Sequence, residues 1–224
     1  ILEYCRKVFN GVILNNVSAC CLNDCVKLIN HSENYADALV VLPPYYYANV
    51  SESGILAFFA EVLNQSQSPT YLYHFPKHTQ NTITPWVVEK LLNYHKNLLG
   101  IKYSETNLAT SLKFKALKAG QFQVFVGGDQ VVFEVLKSGL DGSVTGGGNA
   151  FPELLISIAR FFQAGDLEQA EMTQGSLNVW NQFRKQNPLG EIALTKIALR
   201  TRLKNFPILV RAPLKTIEST ALAE

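Results

Sequence analysis

Residues 97–102 read Asn-Leu-Leu-Gly-Ile-Lys, a short apolar run that ends in a lysine. The run predicts a buried strand, and a lysine at the inner end of such a strand is costly to bury unless it has a function. An amine in a poorly hydrated pocket loses its proton more easily than in water, and it then acts as a nucleophile. The alternative is a strand-end lysine whose stem covers apolar surface while its head stays in water. The order of the surrounding elements decides between the two.

Apolar β-type runs alternate with helix-period segments on both sides of Lys102. The predicted strands are residues 12–17, 37–42, 70–75, 98–102, 122–126 and 142–145. The predicted helices are 22–30, 52–63 (capped by Ser51), one that begins at Thr84-Pro85, one that follows the strand ending at Lys102 and runs through Leu117, 130–137 and 152–162. Two more are predicted at 166–184 and 191–204, before a loop at 206–213. This alternation indicates βαβ units and a parallel sheet, and strands that are apolar throughout indicate a sheet covered on both faces.

Two architectures fit this pattern, an open doubly wound sheet and a closed (β/α)8 barrel. No G-x-G-x-x-G follows the first strand, which disfavours a dinucleotide-binding open sheet. The residues that suggest chemistry follow the ends of several strands, where barrel enzymes place their active sites. They are Tyr45, Tyr46, Tyr73, Lys102, Gly128-Asp129 and Thr145. We therefore predict an α/β protein of the (β/α)8 TIM-barrel class.

Only six of the eight strands of such a barrel can be recognised, and residues 1–10 resemble the end of a helix. We therefore expect the chain to begin after two βα units. We also expect residues 1–165 to form the barrel catalytic domain and residues 166–224 to form a C-terminal helical extension.

Composition restricts the partners. The formal net charge of +2 over 224 residues, without a Lys/Arg run, argues against a nucleic-acid partner. No apolar stretch is long enough for a membrane span, and no signal peptide precedes the first residues, so a soluble protein with no membrane partner is expected. Cys5, Cys20, Cys21 and Cys25 lack partners at metal-ligand spacing, which predicts reduced thiols, no metal site and a cytoplasmic protein.

Six segments occur in a suggestive order. They are Asp37-Ala-Leu-Val-Val-Leu-Pro-Pro-Tyr-Tyr-Tyr47, Tyr73-His-Phe-Pro76, Gly100-Ile-Lys102, Gly127-Gly-Asp129, Asp141-Gly-Ser-Val-Thr-Gly-Gly-Gly-Asn149 and Val210-Arg-Ala-Pro-Leu214. From about residue 10 onward, this series resembles the dihydrodipicolinate synthase / N-acetylneuraminate lyase family of Schiff-base, pyruvate-dependent barrels. Each segment alone is a weak signal, whereas six in order, with the right element between each pair, are a strong one.

The resemblance implies class I aldol chemistry without a metal or organic cofactor. Lys102 would form an imine with a 2-oxo acid such as pyruvate, and Tyr73 would relay the proton. Tyr46 would reach across a tight dimer contact to support Tyr73, within a homo-oligomer that is usually a tetramer. Gly128 and Thr145 would line the pocket floor. Asp129 is expected to cap the following helix, and His74, which should face away from Tyr73, is expected to be structural.

Departures from the family pattern distinguish among the possible functions. His78 stands where the synthases carry an arginine, and an imidazole cannot grip a carboxylate bidentately. This residue and the triple Tyr45-Tyr46-Tyr47 favour an aldolase for a 2-keto-3-deoxy sugar acid or a sialic-acid-like substrate, with His78 and Tyr45 as substrate contacts. The alternative enzyme is dihydrodipicolinate synthase, which condenses pyruvate with aspartate semialdehyde. The family's G-T-x-G-E segment is not found, which motivates a third reading, a non-catalytic ligand-binding barrel.

Overall fold

The computed structural model describes residues 1–214. Its sheet contains six strands in sequential order, β1 (Leu14–Asn16), β2 (Ala38–Val41), β3 (Thr70–His74), β4 (Leu98–Tyr103), β5 (Gln123–Val126) and β6 (Gly142–Ser143). Strands β1 to β5 pair in parallel, each with the next along the chain. This is the strand order of the (β/α)8 barrel class, of which six strands are present. All six predicted strands are confirmed, with ends that differ by at most two residues.

The helices follow the same alternation. They are α1 (Leu2–Val8), α2 (Leu22–Ser32), α3 (Glu52–Asn64), α4 (Pro76–Thr79), α5 (Pro85–Leu92), α6 (Leu108–Lys115), α7 (Val132–Lys137), α8 (Pro152–Gln163), α9 (Leu167–Gln186) and α10 (Glu191–Arg202). The predicted cap of α3 is confirmed, because the Ser51 side chain accepts from the Gly54 N–H at 3.2 Å. The short α4 was not predicted, and residues 117–120 form a 3₁₀ turn in which Lys118 and Ala119 adopt left-handed backbone angles.

The chain divides into two compact units, and the first contains residues 1–127 and 138–142. Its core comes from the strands and from apolar residues of α2, α3, α5 and α6, among them Ile29, Phe59, Val88 and Phe114. The expectation that both faces of every strand are covered is wrong for this unit. Along β3 and β5 buried residues alternate with half-buried ones, so that only one face of the sheet is fully packed.

The pairing of β3 with β4 contains one irregularity. Thr70 lies opposite Leu98, whereas Tyr71 lies opposite Gly100, so that Leu99 is an extra residue in β4. Glycine at position 100 has a packing reason, because a Cβ there would lie 2.3 Å from the backbone oxygen of Gln123. The glycine of the Gly100-Ile101-Lys102 segment therefore allows close approach of β5.

Among the described residues, the second unit contains 128–137 and 143–214. Its core contains the buried residues Val132, Phe133, Ile158, Ala170 and Leu177, contributed by α7, α8 and α9. Helices α9 and α10 confirm the helices predicted near 166–184 and 191–204. Across residues 1–214, no helix combines the length and the apolar character that a membrane crossing requires.

Candidate active site

Lys102 and Tyr73 meet at the carboxyl ends of β4 and β3. The two residues are directly opposite each other in the strand pairing. The Lys102 Nζ donates to the Tyr73 Oη at 3.0 Å and lies 4.1 Å from the centroid of the phenol ring. Both side chains are half-buried, which leaves them accessible to a small ligand. The predicted juxtaposition of an amine and a phenol is therefore present.

Tyr73 is held from the side that faces α4. Its ring stacks on Phe75 with centroids 5.5 Å apart and planes within 13°. Phe75 in turn contacts His78, whose ring centroid lies 4.3 Å away. His78 is exposed, lies in α4 and reaches the site through this aromatic row rather than by contact with Lys102. Its predicted role in substrate recognition stays a prediction.

The next residue of each strand points to the opposite face. His74 and Tyr103 are also opposite each other in the strand pairing, and their rings stack at 4.6 Å with planes within 4°. His74 is 1% exposed and Tyr103 is 3% exposed. The His74 Nδ1 accepts from the Ile83 N–H at 3.1 Å, so Nε2 carries the proton and donates to the Glu105 Oε2 at 2.7 Å. The structural role predicted for His74 is confirmed.

Glu105 was not singled out from the sequence. Its Oε2 also accepts from the Tyr103 hydroxyl at 2.8 Å. Burial lowers the pKa of His74, which keeps the imidazole neutral. Burial and the nearby Glu105 carboxylate raise the pKa of Tyr103 to about 12. For Glu105, burial raises the pKa, but the hydrogen bonds from His74 and Tyr103 outweigh it and leave the pKa lowered.

The three tyrosines after β2 lie in an exposed loop. Tyr45 is 47% exposed, Tyr46 78% and Tyr47 61%. The loop is anchored by Asn81, which is 2% exposed and which sequence reasoning missed. The Asn81 Nδ2 donates to the carbonyl oxygens of Pro44 at 2.7 Å and of Tyr47 at 2.6 Å, and its Oδ1 accepts from the Val50 N–H at 2.8 Å.

Gly128 and Thr145 lie in the second unit. Thr145 precedes a 3₁₀ turn (Gly146–Asn149), and its Oγ1 is buried without a hydrogen-bond partner among the described residues. Such a hydroxyl can bond to a ligand, which is compatible with the predicted substrate contact. The Ser143 Oγ has the same property.

The expectation that Asp129 caps a helix is wrong. Its side chain is buried, accepts from the Gly147 N–H at 3.1 Å and pairs with the Arg184 Nη2 at 2.5 Å. It therefore ties the glycine-rich turn to α9, a role that a local sequence pattern could not indicate, because Arg184 is 55 residues away.

The four cysteines are unpaired thiols. Burial raises the pKa of Cys25, and Cys25 contributes to the core of the first unit, where it is fully buried. Within residues 1–214 no three His, Cys, Asp or Glu residues are grouped as metal ligands.

A parallel βα sheet with an amine and a phenol in hydrogen-bond contact at the carboxyl ends of adjacent strands defines a candidate Schiff-base site. The sequence profile of the Dihydrodipicolinate synthetase family matches residues 1–224, and the chain belongs to this family.

Curated relatives include aldolases and a synthase. The chain is 31% identical over 162 residues to a probable 2-dehydro-3-deoxy-D-pentonate aldolase from Escherichia coli, covering 70% of this chain and 54% of the relative. It is 29% identical over 163 residues to a 2-dehydro-3-deoxy-D-gluconate/2-dehydro-3-deoxy-phosphogluconate aldolase from Thermoproteus tenax, covering 72% and 52%. It is 30% identical over 161 residues to a 4-hydroxy-tetrahydrodipicolinate synthase from Stenotrophomonas maltophilia, covering 71% and 53%. The chain spans about half the length of these relatives.

Solved structures show the same fold. YagE from Escherichia coli, a protein of the dihydrodipicolinic acid synthase family crystallised with pyruvate, superposes with a TM-score of 0.87 at 24% identity, covering 99% of this chain and 74% of that one. A dihydrodipicolinate synthase from Bacteroides thetaiotaomicron gives a TM-score of 0.86 at 24% identity, covering 98% and 75%. The predicted fold class is confirmed.

Proposed function

We propose that this protein is a class I aldolase that cleaves or forms a 2-oxo acid through an imine on Lys102. The observation that carries the proposal is the 3.0 Å contact between the Lys102 Nζ and the Tyr73 Oη at two strand ends. The Lys102 Nζ attacks the keto carbon of the substrate through its lone pair, and a proton moves from the nitrogen to the oxygen to give a carbinolamine. The Tyr73 phenol then gives its proton to the carbinolamine hydroxyl, which leaves as water, so that a protonated imine and a phenolate remain. The protonated imine on Lys102 takes up the electron pair of the breaking C–C bond. The proposed mechanism therefore needs no metal or organic cofactor to stabilise the carbanion equivalent.

Tyr73 is proposed as the proton relay. In cleavage of a 4-hydroxy-2-oxo acid, the phenolate that imine formation leaves on Tyr73 takes the 4-hydroxyl proton while the C3–C4 bond breaks. The electron pair of that bond moves into the imine, which leaves an enamine on Lys102 and releases an aldehyde. Protonation and hydrolysis of the enamine return pyruvate and the free amine. The reverse sequence forms the C–C bond.

The proposed substrate is a 2-keto-3-deoxy sugar acid. The relatives that act on 2-dehydro-3-deoxy acids support this choice, as does the exposed imidazole of His78 in α4, beyond Tyr73. Tyr45, Gly128 and Thr145 are proposed as further substrate contacts, and the buried, unpartnered Thr145 hydroxyl suits a polyol. The second candidate is the synthase reaction with aspartate semialdehyde, which the Stenotrophomonas relative favours.

The proposal also includes expectations about the oligomer, the cellular compartment and the domain division. Tyr46, which is 78% exposed, would be covered by a second copy in a homotetramer built from dimers. The free thiols suit a cytoplasmic protein. We retain residues 1–165 as the barrel domain and 166–224 as the helical extension, a division supported by the start of α9 at Leu167.

Borohydride trapping tests the chemistry. The protein is incubated with pyruvate and reduced, and peptides are analysed by mass spectrometry. We expect the Lys102 peptide to gain the mass of pyruvic acid less one oxygen atom. Lys102→Arg, whose guanidinium cannot form this imine, should abolish the adduct, and Lys96→Arg in the exposed turn before β4 should not.

Substrate assays then separate the candidates. We expect cleavage of 2-keto-3-deoxygluconate to be faster than condensation of pyruvate with aspartate semialdehyde. The opposite preference would establish the synthase. A folded protein that binds pyruvate without a reducible adduct would instead be a non-catalytic ligand-binding barrel.

A further inference from the structure

The candidate catalytic pair has a second residue pair directly behind it. Because side chains alternate along a strand, His74 and Tyr103 point to the face opposite that of Tyr73 and Lys102. We call Tyr73 and Lys102 the inner pair, and His74 and Tyr103 the outer pair. The rings of the outer pair stack at 4.6 Å, and the polar atoms of the inner pair are 3.0 Å apart. Any shift between the ends of β3 and β4 would therefore move both pairs together.

Glu105 joins the outer pair. A single carboxylate oxygen, Oε2, accepts from the His74 Nε2–H at 2.7 Å and from the Tyr103 hydroxyl at 2.8 Å. The other nitrogen of His74 is held by the Ile83 N–H at 3.1 Å, which fixes the tautomer and the ring plane. Both strand ends are thus connected to one acceptor beyond β4.

This connection lies where the strand pairing needs it. The extra residue Leu99 changes the β3–β4 register upstream, between Thr70 and Tyr71. A slip of one residue turns every side chain of a strand to the other face, and it would remove Lys102 from the face of Tyr73. Two stacked flat rings resist separation but can slide past each other. Two hydrogen bonds to one oxygen, in contrast, also prevent sliding.

Among the described residues, no second charged side chain stands beside this carboxylate. His74, Tyr103 and Glu105 line a cavity of about 290 Å³ together with Thr82, Asn107 and Thr110. Among the described residues that line it, Glu105 alone carries a charge. Its removal would leave the His74 Nε2–H, on a side chain that is 1% exposed, without its acceptor.

We propose that Glu105 is a positioning residue, which holds the ends of β3 and β4 in register and thereby keeps the Lys102 amine against the Tyr73 hydroxyl. The proposal rests on the proposed function of that pair. Glu105 touches no reacting atom and acts through His74 and Tyr103.

The geometry of the two hydrogen bonds indicates a variant that should retain the positioning role. Because both hydrogen bonds end on one oxygen, the amide oxygen of Glu105→Gln can accept both, whereas Glu105→Ala accepts neither. Glu33→Ala is the matched control, because Glu33 also accepts one side-chain hydrogen bond, from the Ser66 Oγ at 2.9 Å, in the same unit but away from these strand ends.

Steady-state cleavage of 2-keto-3-deoxygluconate gives the first readout. Glu105→Ala should lower kcat by about tenfold or more with KM within about twofold, and Glu105→Gln should stay within about threefold of the parent. Should Glu105→Ala fail to fold, Tyr103→Phe keeps the stacking, removes one of the two hydrogen bonds and should lower kcat by about threefold. A kcat equal to that of Glu33→Ala, or a loss confined to thermal stability, would overturn the proposal.

Crystal structures give a readout that does not depend on turnover. The distance between Lys102 Nζ and Tyr73 Oη should exceed about 3.5 Å in Glu105→Ala, the limit of a hydrogen bond, and stay near its parent value in Glu105→Gln. If the parent forms no adduct and shows no turnover, the proposed function fails while this distance still decides the positioning role. An unchanged distance in Glu105→Ala refutes it.

Discussion

The two faces of the β3–β4 pair carry opposite kinds of chemistry. On the inner face, Tyr73 and Lys102 are half-buried and bond to each other. On the outer face, His74 and Tyr103 are almost fully buried, and their polar atoms all have partners. The inner pair keeps hydrogen-bonding capacity for a ligand because the outer pair supplies the rigidity. Neighbouring residues along each strand therefore have different roles. Substitutions of the inner pair should lower activity, and substitutions of the outer pair should lower stability.

Tyr73→Phe should produce the largest effect on the inner face. Removal of the phenolic oxygen deletes the proposed proton relay, and general acid–base groups contribute roughly 10²–10⁴-fold. We expect kcat for cleavage to fall by about that factor, with the free energy of unfolding changed by less than about 0.5 kcal/mol, since a half-buried hydroxyl is lost without a cavity. Steady-state kinetics and urea unfolding provide the two measurements. Tyr94→Phe, at a position that is 84% exposed, is the control and should change neither.

Retention of kcat in Tyr73→Phe would assign the relay to another group. A large loss of stability would instead show that the inner face is as structural as the outer one, and the contrast between the faces would disappear.

Gly100→Ala should damage both faces at once. The new Cβ would lie 2.3 Å from the Gln123 carbonyl oxygen and 2.8 Å from the Tyr71 ring, so β4 and β5 must separate. Overpacking of this kind costs about 3 kcal/mol, which we expect as a loss in the free energy of unfolding measured with urea. Gly175→Ala is the matched control, because nothing lies within 4 Å of its Cβ position in α9, and it should stabilise by about 0.5–1 kcal/mol. Equal stabilities of the two variants would contradict the packing at Gly100.

Asn81→Ala tests the side chain that anchors the loop of Tyr45. Like the outer pair, Asn81 is buried and its polar atoms have hydrogen-bond partners. The substitution leaves the Pro44 and Tyr47 carbonyl oxygens and the Val50 N–H without their partner, and unpaired buried groups cost about 1–3 kcal/mol. We expect a loss of about 2 kcal/mol in the free energy of unfolding and faster proteolysis in the loop of Tyr45. Asn64→Ala, exposed at the end of α3, should change stability by less than about 0.5 kcal/mol. Unchanged proteolysis would show that the loop holds itself.

How far the sequence predicts these features depends on the range of the interaction. Tyr73 and Lys102 could be placed together because each ends an apolar strand and parallel strands bring their carboxyl ends to one edge. His74 could be assigned to the opposite face from the two-residue period of a strand. These inferences need only local periodicity and element order.

The supports could not be predicted in the same way. Glu105 lies beyond β4, 31 residues from His74, and its contact depends on the path of a loop that periodicity does not describe. The contacts of Asn81 and the pair of Asp129 with Arg184 could not be predicted for the same reason, because their partners are distant in the sequence. The expected burial of both sheet faces also failed, because apolar composition does not show whether a second layer covers a strand.

The smallest predicted effect is the response of the outer face to acid. The pKa of His74 lies below its ordinary value of 6.5 because the side chain is buried, so below that pH the unfolded chain takes up a proton that the folded protein refuses. The pKa of Glu105 is lowered from its ordinary value of 4.5 by its two donors, although burial opposes the shift, so the unfolded chain is also the first to protonate this carboxyl. Both effects have the same sign, and the free energy of unfolding should fall as the pH drops from 7 toward 4.

His74→Phe keeps the ring beside Tyr103 and removes the titration. It should be less stable at pH 7, because the Ile83 N–H and Glu105 lose a partner, but its stability should fall less between pH 7 and pH 5 than that of the parent. His95, whose pKa burial also lowers, is present in both proteins and cancels in the comparison. Urea midpoints across this range measure the two slopes. Parallel slopes would mean that His74 takes up its proton equally in the folded and the unfolded protein, and the outer pair would then lack the fixed tautomer on which its contrast with the inner pair depends.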